Sequence, residues 1–159
     1  MAITSPRMAQ AQTLSQASGM PLVYISRRFY FSASHRVYNP AWSDEKNAEI
    51  FGPCSNPNGH GHNYELEVVV AGTPNPETGY VIDIGHLRRL IEENVIKHLD
   101  HRHLNTDVTF LSGRIPSSEN LIVAIWEQIE PLLPKGVSLV ELRLWETPRN
   151  CFIYYGQKV

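Results

Sequence analysis

Two histidines separated by a single residue, His60 and His62, form the strongest local motif for chemistry in this sequence. From His60 to Val70, apolar and polar side chains alternate, which predicts a β-strand with both histidines on the face toward the core. Side chains two residues apart on a strand project from the same face, roughly 6–7 Å apart, so both imidazoles can turn toward one metal ion. For this motif taken alone, hydrogen-bonded core histidines are the alternative.

A third histidine, His35, ends an earlier predicted strand, over residues 22–35, and continues its apolar parity. Three histidine ligands leave one position of a tetrahedral zinc ion open, which is the pattern of a catalytic rather than a structural site. We therefore predict a zinc site formed by His35, His60 and His62. The pairing of the two strands does not follow from one sequence, so His35 is assigned as a zinc ligand from the alternation of its strand alone.

Cys54 lies six residues before His60, in a Pro- and Asn-rich connection over residues 36–59. A thiol beside a metal or a cationic imidazole loses its proton more readily and can act as a base or a nucleophile. A fourth zinc ligand and an inert packed cysteine are the alternatives. Cys151, next to Phe152 on a predicted strand, is expected in the core.

Asp100 and His101 are adjacent after a predicted helix, where a carboxylate can orient an imidazole and raise its basicity. A structural or solvated role is the alternative, and His98 and His103 compete for the same function.

Glu146 stands on the apolar parity of a strand that includes Val140, where a carboxylate is costly unless it is paired. A ligand with N–H donors would supply that pairing, whereas fraying of the strand would expose the group.

Arg27 and Arg28 are plausible contacts for a phosphorylated substrate, or else a solvated surface pair.

Length and composition limit the classes of protein. The chain has 159 residues and a mass of 18.0 kDa, with 42% apolar and 19% charged residues and a formal net charge of -2. These values predict one globular domain without the basic footprint of a nucleic-acid or membrane-surface protein. No apolar run approaches the roughly 18 residues of a membrane span. Two cysteines suit a reducing cytoplasm.

Residues 1–20 are expected to be a flexible tail, and residues 21–159 a single domain.

The remaining pattern predicts the other elements. The turn-rich segment GTPNPETG is followed by a short strand over 80–84, which is expected to pair with the strand before the turn. A helix over about 86–98 comes next. Ser43 is a predicted cap for a short helix over 44–51, and Ser117 for a longer one that ends near Pro131. Two strands, over 137–147 and 151–156, form a hairpin. This order predicts an α+β domain with an antiparallel sheet, helices on one face, and assembly into a homo-oligomer to cover the other.

Four segments together resemble one known family: SRRFYFSASH, CSNPNGHGHNY, LDHRHLN and WET. They are similar to the 6-pyruvoyl-tetrahydropterin synthase family, and the resemblance covers about Leu22 to Gly156. The resemblance implies a tunnelling fold, in which an antiparallel four-stranded sheet with two helices packed on one face assembles into an oligomeric barrel. It also implies a homohexamer of two stacked trimers, with active sites between subunits.

The resemblance further implies a substrate, 7,8-dihydroneopterin triphosphate, which loses triphosphate without a nicotinamide or flavin cofactor. In agreement, the sequence has no GxGxxG or P-loop pattern. Zinc would be held by the three histidines, Cys54 would be the base, and Asp100 with His101 would complete a proton relay from a neighbouring subunit. The implied pterin contacts are Glu146, which anchors the ring, together with Thr147, Ser117 and Ser118.

Other functions stay open at this point. The related 6-carboxytetrahydropterin synthase of the queuosine pathway shares the zinc site, the cysteine and the substrate, but releases acetaldehyde. The NPNGHGHNY segment and the Cys54 spacing favour the pyruvoyl-forming branch, whereas VID at 81–83 and PSSE at 116–119 are closer to the carboxy-forming branch. A zinc hydrolase without a cysteine base and a zinc-stabilised, non-enzymatic scaffold are more remote alternatives.

Overall fold

The chain forms one five-stranded sheet with two helices on one face and a third helix in a connection. The structure is a computed structural model that describes residues 9, 12–13 and 19–156. The elements are β1 (Val23–His35), α1 (Asp44–Phe51), β2 (His60–Gly72), α2 (Ile84–Ile91), β3 (Arg102–His103), α3 (Ser118–Ile129), β4 (Val137–Thr147) and β5 (Asn150–Tyr154). Helix α2 continues through a π-helical turn, Glu92–Ile96, and a last α-helical turn, Lys97–Leu99.

The strand order in the sheet is β3-β1-β2-β4-β5. All neighbours are antiparallel except β1 and β3, which are parallel. The α+β class is confirmed, but the purely antiparallel four-stranded sheet is wrong. The additional strand, β3, has only two residues, which is too few for a sequence pattern. It pairs with β1 because the backbone N–H groups of the flanking residues His101 and Leu104 donate to the carbonyls of Ser32 and Ser34.

One face of the sheet and the inner sides of α2 and α3 form the main core. The predicted stripe of α2 is confirmed, since Leu87, Leu90, Ile91 and Val95 are all buried. The inner face of the sheet contributes Phe29, Phe31, Leu66, Val68, Leu142 and Leu144, and α3 contributes Leu121, Ile125 and Ile129. This packing fixes the ends of β1 and β2, which carry the predicted metal ligands, and the end of β4, which carries Glu146.

Polar side chains cap the helices, as the sequence predicts for two of them. Ser43 Oγ accepts from Lys46 N–H, and Ser117 Oγ accepts from Asn120 N–H. The predicted strand over 80–84 is wrong, because Asp83 is instead the N-cap of α2 and accepts from the backbone N–H of His86. The segment before it is therefore an irregular loop that turns the chain into the helix.

Two predictions about the hairpin side of the sheet are corrected. A β-bulge shifts the register between Val69 and Val70, so Val140 packs on the second face while Leu139 lies in the main core. Cys151 is exposed rather than buried. Alternation along β5 turns Phe152 toward the main core and leaves its neighbour on the opposite face.

The flexible tail predicted over residues 1–20 falls mostly outside the described residues and stays a prediction. Among the described residues, no helix is long and apolar enough to cross a membrane.

Leu87 provides a direct test of the packing of α2. The variant Leu87→Ala removes a fully buried side chain, so we expect the free energy of unfolding to fall by roughly 2–5 kcal/mol. Ile84→Ala, in the same helix but 52% exposed, should cost much less. Denaturant unfolding of both variants gives the measurement, and equal losses would contradict the packing described here.

Candidate active site

The pairing of β1 with β2 brings the three predicted metal ligands together. His35, the last residue of β1, lies opposite His60, the first residue of β2. His62 follows on the same face and lies opposite Ala33, whose small side chain leaves room for the imidazoles. Gly59 enters β2 with φ +68°, and a Cβ there would lie 2.8 Å from the carbonyl oxygen of His35, so only glycine allows this close approach.

The imidazole nitrogens form a compact cluster of potential ligands. One ring nitrogen from each of His35, His60 and His62 lies within 4.8 Å of the others. His35 Nε2 is 3.0 Å from His60 Nε2. His62 Nε2 is buried and has no hydrogen-bond partner among the described residues, although an isolated buried ring nitrogen is costly. A metal ion would satisfy this nitrogen, so the residues present fit a metal site.

The surroundings of His35 and His62 favour neutral imidazoles, which are the form that binds metals. Burial lowers the pKa of His35, and the neighbouring His60 and His62 lower it further. The carbonyl of Pro116, which is 2.7 Å from His35 Nδ1, acts in the opposite direction. Because that carbonyl only accepts, it fixes Nδ1 as the donor and leaves Nε2 free to coordinate. Burial also lowers the pKa of His62.

Glu146, which lies at a register irregularity between Trp145 and Thr147 of β4, stands beside the cluster. Its Oε1 lies 3.8 Å from His62 Nε2 and 4.0 Å from His35 Nε2. The same oxygen accepts a 2.7 Å hydrogen bond from Ser118 Oγ at the start of α3. The buried Tyr64 packs edge-on against the His62 ring, and burial raises its pKa well above the ordinary value. One oxygen of the Glu146 carboxylate is thus held by the Ser118 hydroxyl.

Asp100 and His101 form a dyad in side-chain contact at the edge of β1. Asp100 Oδ2 is 3.0 Å from His101 Nδ1, and Asp100 Oδ1 accepts from the backbone N–H of Ser32. This backbone hydrogen bond, followed by the interaction with His101, lowers the pKa of Asp100. His101 has φ +57°, an unusual conformation for a residue other than glycine. The chain therefore holds a strained backbone where the imidazole is presented to solvent.

Cys54 lies in a 3-10 turn, Gly52–Ser55, with its side chain exposed. Within the described residues, the group of ligand atoms that lie within 4.8 Å of one another contains the three histidines and does not include Cys54. The turn docks on the end of β1, where Val37 N–H donates to the Cys54 carbonyl at 2.8 Å. The thiol thus belongs to a loop tied to the strand that carries His35.

The other predicted contacts lie in varied surroundings. Arg28 is paired with Glu65 at 2.8 Å on the sheet face opposite the histidines, whereas Arg27 lies on the parity of the main core with a buried Nε. Thr147 Oγ1 accepts backbone N–H groups of the β4–β5 turn, and Ser117 caps α3. Their roles toward a substrate stay predictions.

A shallow surface groove is lined by one histidine of the dyad, His101, and one of the cluster, His62. Residues from β1, β2 and the loop after α2 line it: Ser32, Ala33, Ser34, Gly61, His62, Asn63, His101, Arg102, His103 and Asp107. The structure therefore brings His62 and His101, 39 positions apart in the sequence, to one surface groove.

Sequence reasoning missed two contributors to the site, Tyr64 and the carbonyl of Pro116. Tyr64 lies two residues beyond His62 on the same strand face, so strand parity alone could have assigned it. The Pro116 carbonyl has no such signal, because its contact with His35 depends on how the loop before α3 packs.

The fold and the histidine cluster define a class: an α+β domain with a candidate metal centre at one end of its sheet. The sequence profile of the 6-pyruvoyl tetrahydropterin synthase family matches residues 24–157. A relative from Homo sapiens named 6-pyruvoyl tetrahydrobiopterin synthase is 43% identical over 133 residues, which cover 84% of this chain and 91% of that protein. The chain belongs to the 6-pyruvoyl tetrahydropterin synthase family.

A solved structure and a more distant relative complete the comparison. The structure of Caenorhabditis elegans 6-pyruvoyl tetrahydropterin synthase superposes with a TM-score of 0.81 and 37% identity, and the match covers 87% of this chain and 98% of that one. A Rickettsia typhi protein named 6-carboxy-5,6,7,8-tetrahydropterin synthase is 27% identical over 149 residues, 83% of this chain and 99% of that protein.

Metal content tests the histidine cluster. We expect purified protein loaded with a divalent transition ion to retain roughly one ion per chain, given three imidazole ligands. His60→Ala should lose most of the bound metal, because it removes one ligand of three, whereas the exposed His86→Ala should not. Elemental analysis after dialysis measures both variants. Full retention by His60→Ala would contradict the site.

The backbone at residue 101 gives a second test. His101→Gly and His101→Ala both remove the imidazole, but only glycine accepts φ +57° without strain. We expect the glycine variant to be more stable than the alanine variant by roughly 1–2 kcal/mol. Thermal unfolding compares them directly, and an alanine variant of equal or greater stability would rule out strain at this position.

Proposed function

We propose that this chain is a zinc-dependent 6-pyruvoyl-tetrahydropterin synthase. It would convert 7,8-dihydroneopterin triphosphate to 6-pyruvoyl-tetrahydropterin by eliminating triphosphate. The observation that carries the proposal is the cluster of His35, His60 and His62 beside a held Glu146 carboxylate. This arrangement occurs on a chain that is 43% identical to a human protein of that name.

The three histidines would hold zinc through one ring nitrogen each. Zinc bound there would supply a Lewis acid toward the hydroxyl groups of the substrate side chain and make their C–H bonds more acidic. Other first-row ions also suit imidazole ligands. The zinc assignment therefore rests on the count of three ligands, which leaves an open position typical of catalytic zinc sites.

Glu146 would anchor the pterin. The guanidine-like edge of a pterin presents neighbouring N–H donors, and a carboxylate can accept two of them in parallel. The Ser118 hydroxyl restrains Oε1 of that carboxylate, so the substrate would meet an oriented acceptor. Ser117, Ser118 and Thr147 are proposed as further contacts around the ring.

Cys54 would remove a proton from the side chain of the substrate. The electrons of that C–H bond would then rearrange along the side chain, and the C–O bond to triphosphate would break with its electron pair leaving on the triphosphate. Both steps are redistributions within one molecule, so no external oxidant is needed. Asp100 would hold the His101 imidazole in place, as their 3.0 Å contact allows, and the pair would accept and return the proton. A phosphate contact of Arg27 and Arg28 stays a prediction from the sequence, because the two side chains lie on opposite faces of β1 and Arg28 pairs with Glu65 away from the histidines.

The enzyme is further proposed to act in the cytoplasm as a homohexamer of two trimers, with sites shared between subunits. The sheet supports assembly at both edges. At one edge, β3 pairs with only two residues of β1, Ala33 and Ser34, within the part of the chain that the structure describes. At the other edge, β5 exposes the side chain of Ile153. Unpaired strand edges are templates for pairing with another chain. Pairing between subunits would also explain how the exposed His101 reaches the substrate of a neighbour.

The carboxy-forming reaction is the second candidate. Ser117 and Ser118 stand where two threonines are common in the pyruvoyl-forming branch, and these serines keep the hydroxyl groups. The proposed site would bind the same substrate in either case, so only the product separates the two functions.

Product analysis tests the proposal. Zinc-loaded protein incubated anaerobically with 7,8-dihydroneopterin triphosphate should yield 6-pyruvoyl-tetrahydropterin and triphosphate by mass spectrometry. Cys54→Ala should lower turnover by roughly 10²–10⁴-fold, because it removes the base. The matched control is Cys151→Ala, which removes the other thiol of the chain.

The remaining outcomes identify the alternatives. A carboxylated tetrahydropterin with acetaldehyde would assign the chain to the queuosine branch. Full turnover by Cys54→Ala would contradict the role of the thiol and favour metal-assisted hydrolysis. No turnover by the wild type, with metal loss causing the assembly to dissociate, would favour a zinc-stabilised scaffold.

A further inference from the structure

Arg36 follows His35, the last residue of β1, and contacts the turn that carries Cys54. Its Nε–H donates to the backbone carbonyl of Ser55 at 2.7 Å, and its Nη2 lies 3.0 Å from Asp44 Oδ1. The guanidinium also stacks over the Tyr38 ring, 4.1 Å from its centroid. Only 18% of the Arg36 side chain is exposed, compared with 81% for Asp44. This arginine is thus a covered, multiply bonded group rather than a solvated surface charge.

The contacts of Arg36 reach the turn that carries Cys54. Two successive carbonyls of that turn accept hydrogen bonds from two successive residues after His35: Val37 N–H donates to Cys54 and Arg36 Nε–H to Ser55. Ser55 is itself buried, and its hydroxyl donates to the carbonyl of Gly52. These two hydrogen bonds therefore fix the position of the Cys54 turn relative to His35.

Arg36 is also fixed from its other side by Asn105. The side-chain amide of Asn105 accepts from Arg36 N–H and donates to the Arg36 carbonyl, both at 2.9 Å. Asn105 follows β3, and its backbone N–H is 3.4 Å from His103 Nδ1. Because the backbone of Arg36 is held by this bidentate contact, its side chain projects toward the turn from a rigid base.

We propose that Arg36 is a positioning residue, which holds the Cys54 turn in register with the histidine cluster so that the thiol meets the substrate. This inference rests on the proposed role of Cys54 as the base. Proton transfer requires close approach, and misplacement of a catalytic group by about 1 Å can cost on the order of 10²-fold in rate. The ion pair with Asp44 is secondary, since its exposed carboxylate is well solvated.

A double-mutant cycle between Arg36 and Cys54 provides the test. In Arg36→Lys, the Cε methylene of lysine takes the place of Nε and cannot donate a hydrogen bond, so the bond to Ser55 is lost while the charge stays. We expect kcat to fall roughly 10–100-fold, with KM and metal content unchanged. In a Cys54→Ser background, the same change should have little further effect, because the positioned thiol is already absent.

Two control variants separate the contacts. Asp44→Asn removes the ion pair but keeps the bond to Ser55, so its kcat should stay near that of the wild type. Arg88→Lys changes an exposed arginine of α2 that pairs with Glu92 and should have no effect. Equal losses from Arg36→Lys with and without Cys54 would overturn the proposal, and so would a rise in KM with kcat unchanged.

Hydrogen exchange gives a readout that does not depend on turnover. Arg36→Lys should accelerate amide exchange in peptides that cover residues 52–57, while peptides from α3 keep their protection. Unchanged exchange over 52–57 would overturn the positioning role. Absence of product from the wild type would instead contradict the proposed function, and exchange alone would then decide whether Arg36 anchors the turn.

Discussion

The register of β1 against β2 is the constraint on which the rest of the site depends. Antiparallel pairing places His35 opposite His60, and the two-residue period of a strand adds His62 on the same face. A slip of one residue would turn the His60 and His62 side chains to the other face. The apolar side chains that alternate along both strands prevent such a slip, because it would also expose Leu66 and Val68. The same burial that stabilises the fold therefore positions the three candidate ligands.

Two further connections build the site around that pairing. Helix α3 begins at Ser117 and Ser118, which sets the Pro116 carbonyl against His35 and the Ser118 hydroxyl against Glu146. The loop after α2 bonds to the backbone of β1 through Asp100, His101 and Leu104. Side chains distant in the sequence thus meet at the end of β1, and helix capping and strand pairing do most of the positioning.

Much of this arrangement follows from sequence patterns with a known period. Alternation on β1 and β2 predicts the inward faces of the histidines, and the stripe on α2 and the caps Ser43 and Ser117 are where the pattern puts them. The errors have identifiable physical causes. A two-residue strand such as β3 has no period, a bulge moves Val140 off the parity of Leu142, and the capping role of Asp83 outweighs the β-branched run before it.

The site was predictable in part for the same reason. Residues on regular stretches of strand, such as His60 and His62, follow from parity, whereas the Arg36 and Asn105 contacts depend on loop packing that has no repeating pattern. Family resemblance supplies roles for Cys54, Asp100 and His101, but the hydrogen bonds that hold them come only from the three-dimensional arrangement.

X-ray absorption at the zinc K-edge of the zinc-loaded protein tests the central claim most directly, namely that His35, His60 and His62 are the protein ligands of a zinc centre. We predict three imidazole nitrogens at roughly 2.0–2.1 Å and an oxygen ligand, with no sulfur scatterer. A sulfur scatterer at about 2.3 Å would make Cys54 a ligand rather than a base and would contradict the account. Fewer than three imidazoles would equally contradict the assignment of His35, His60 and His62.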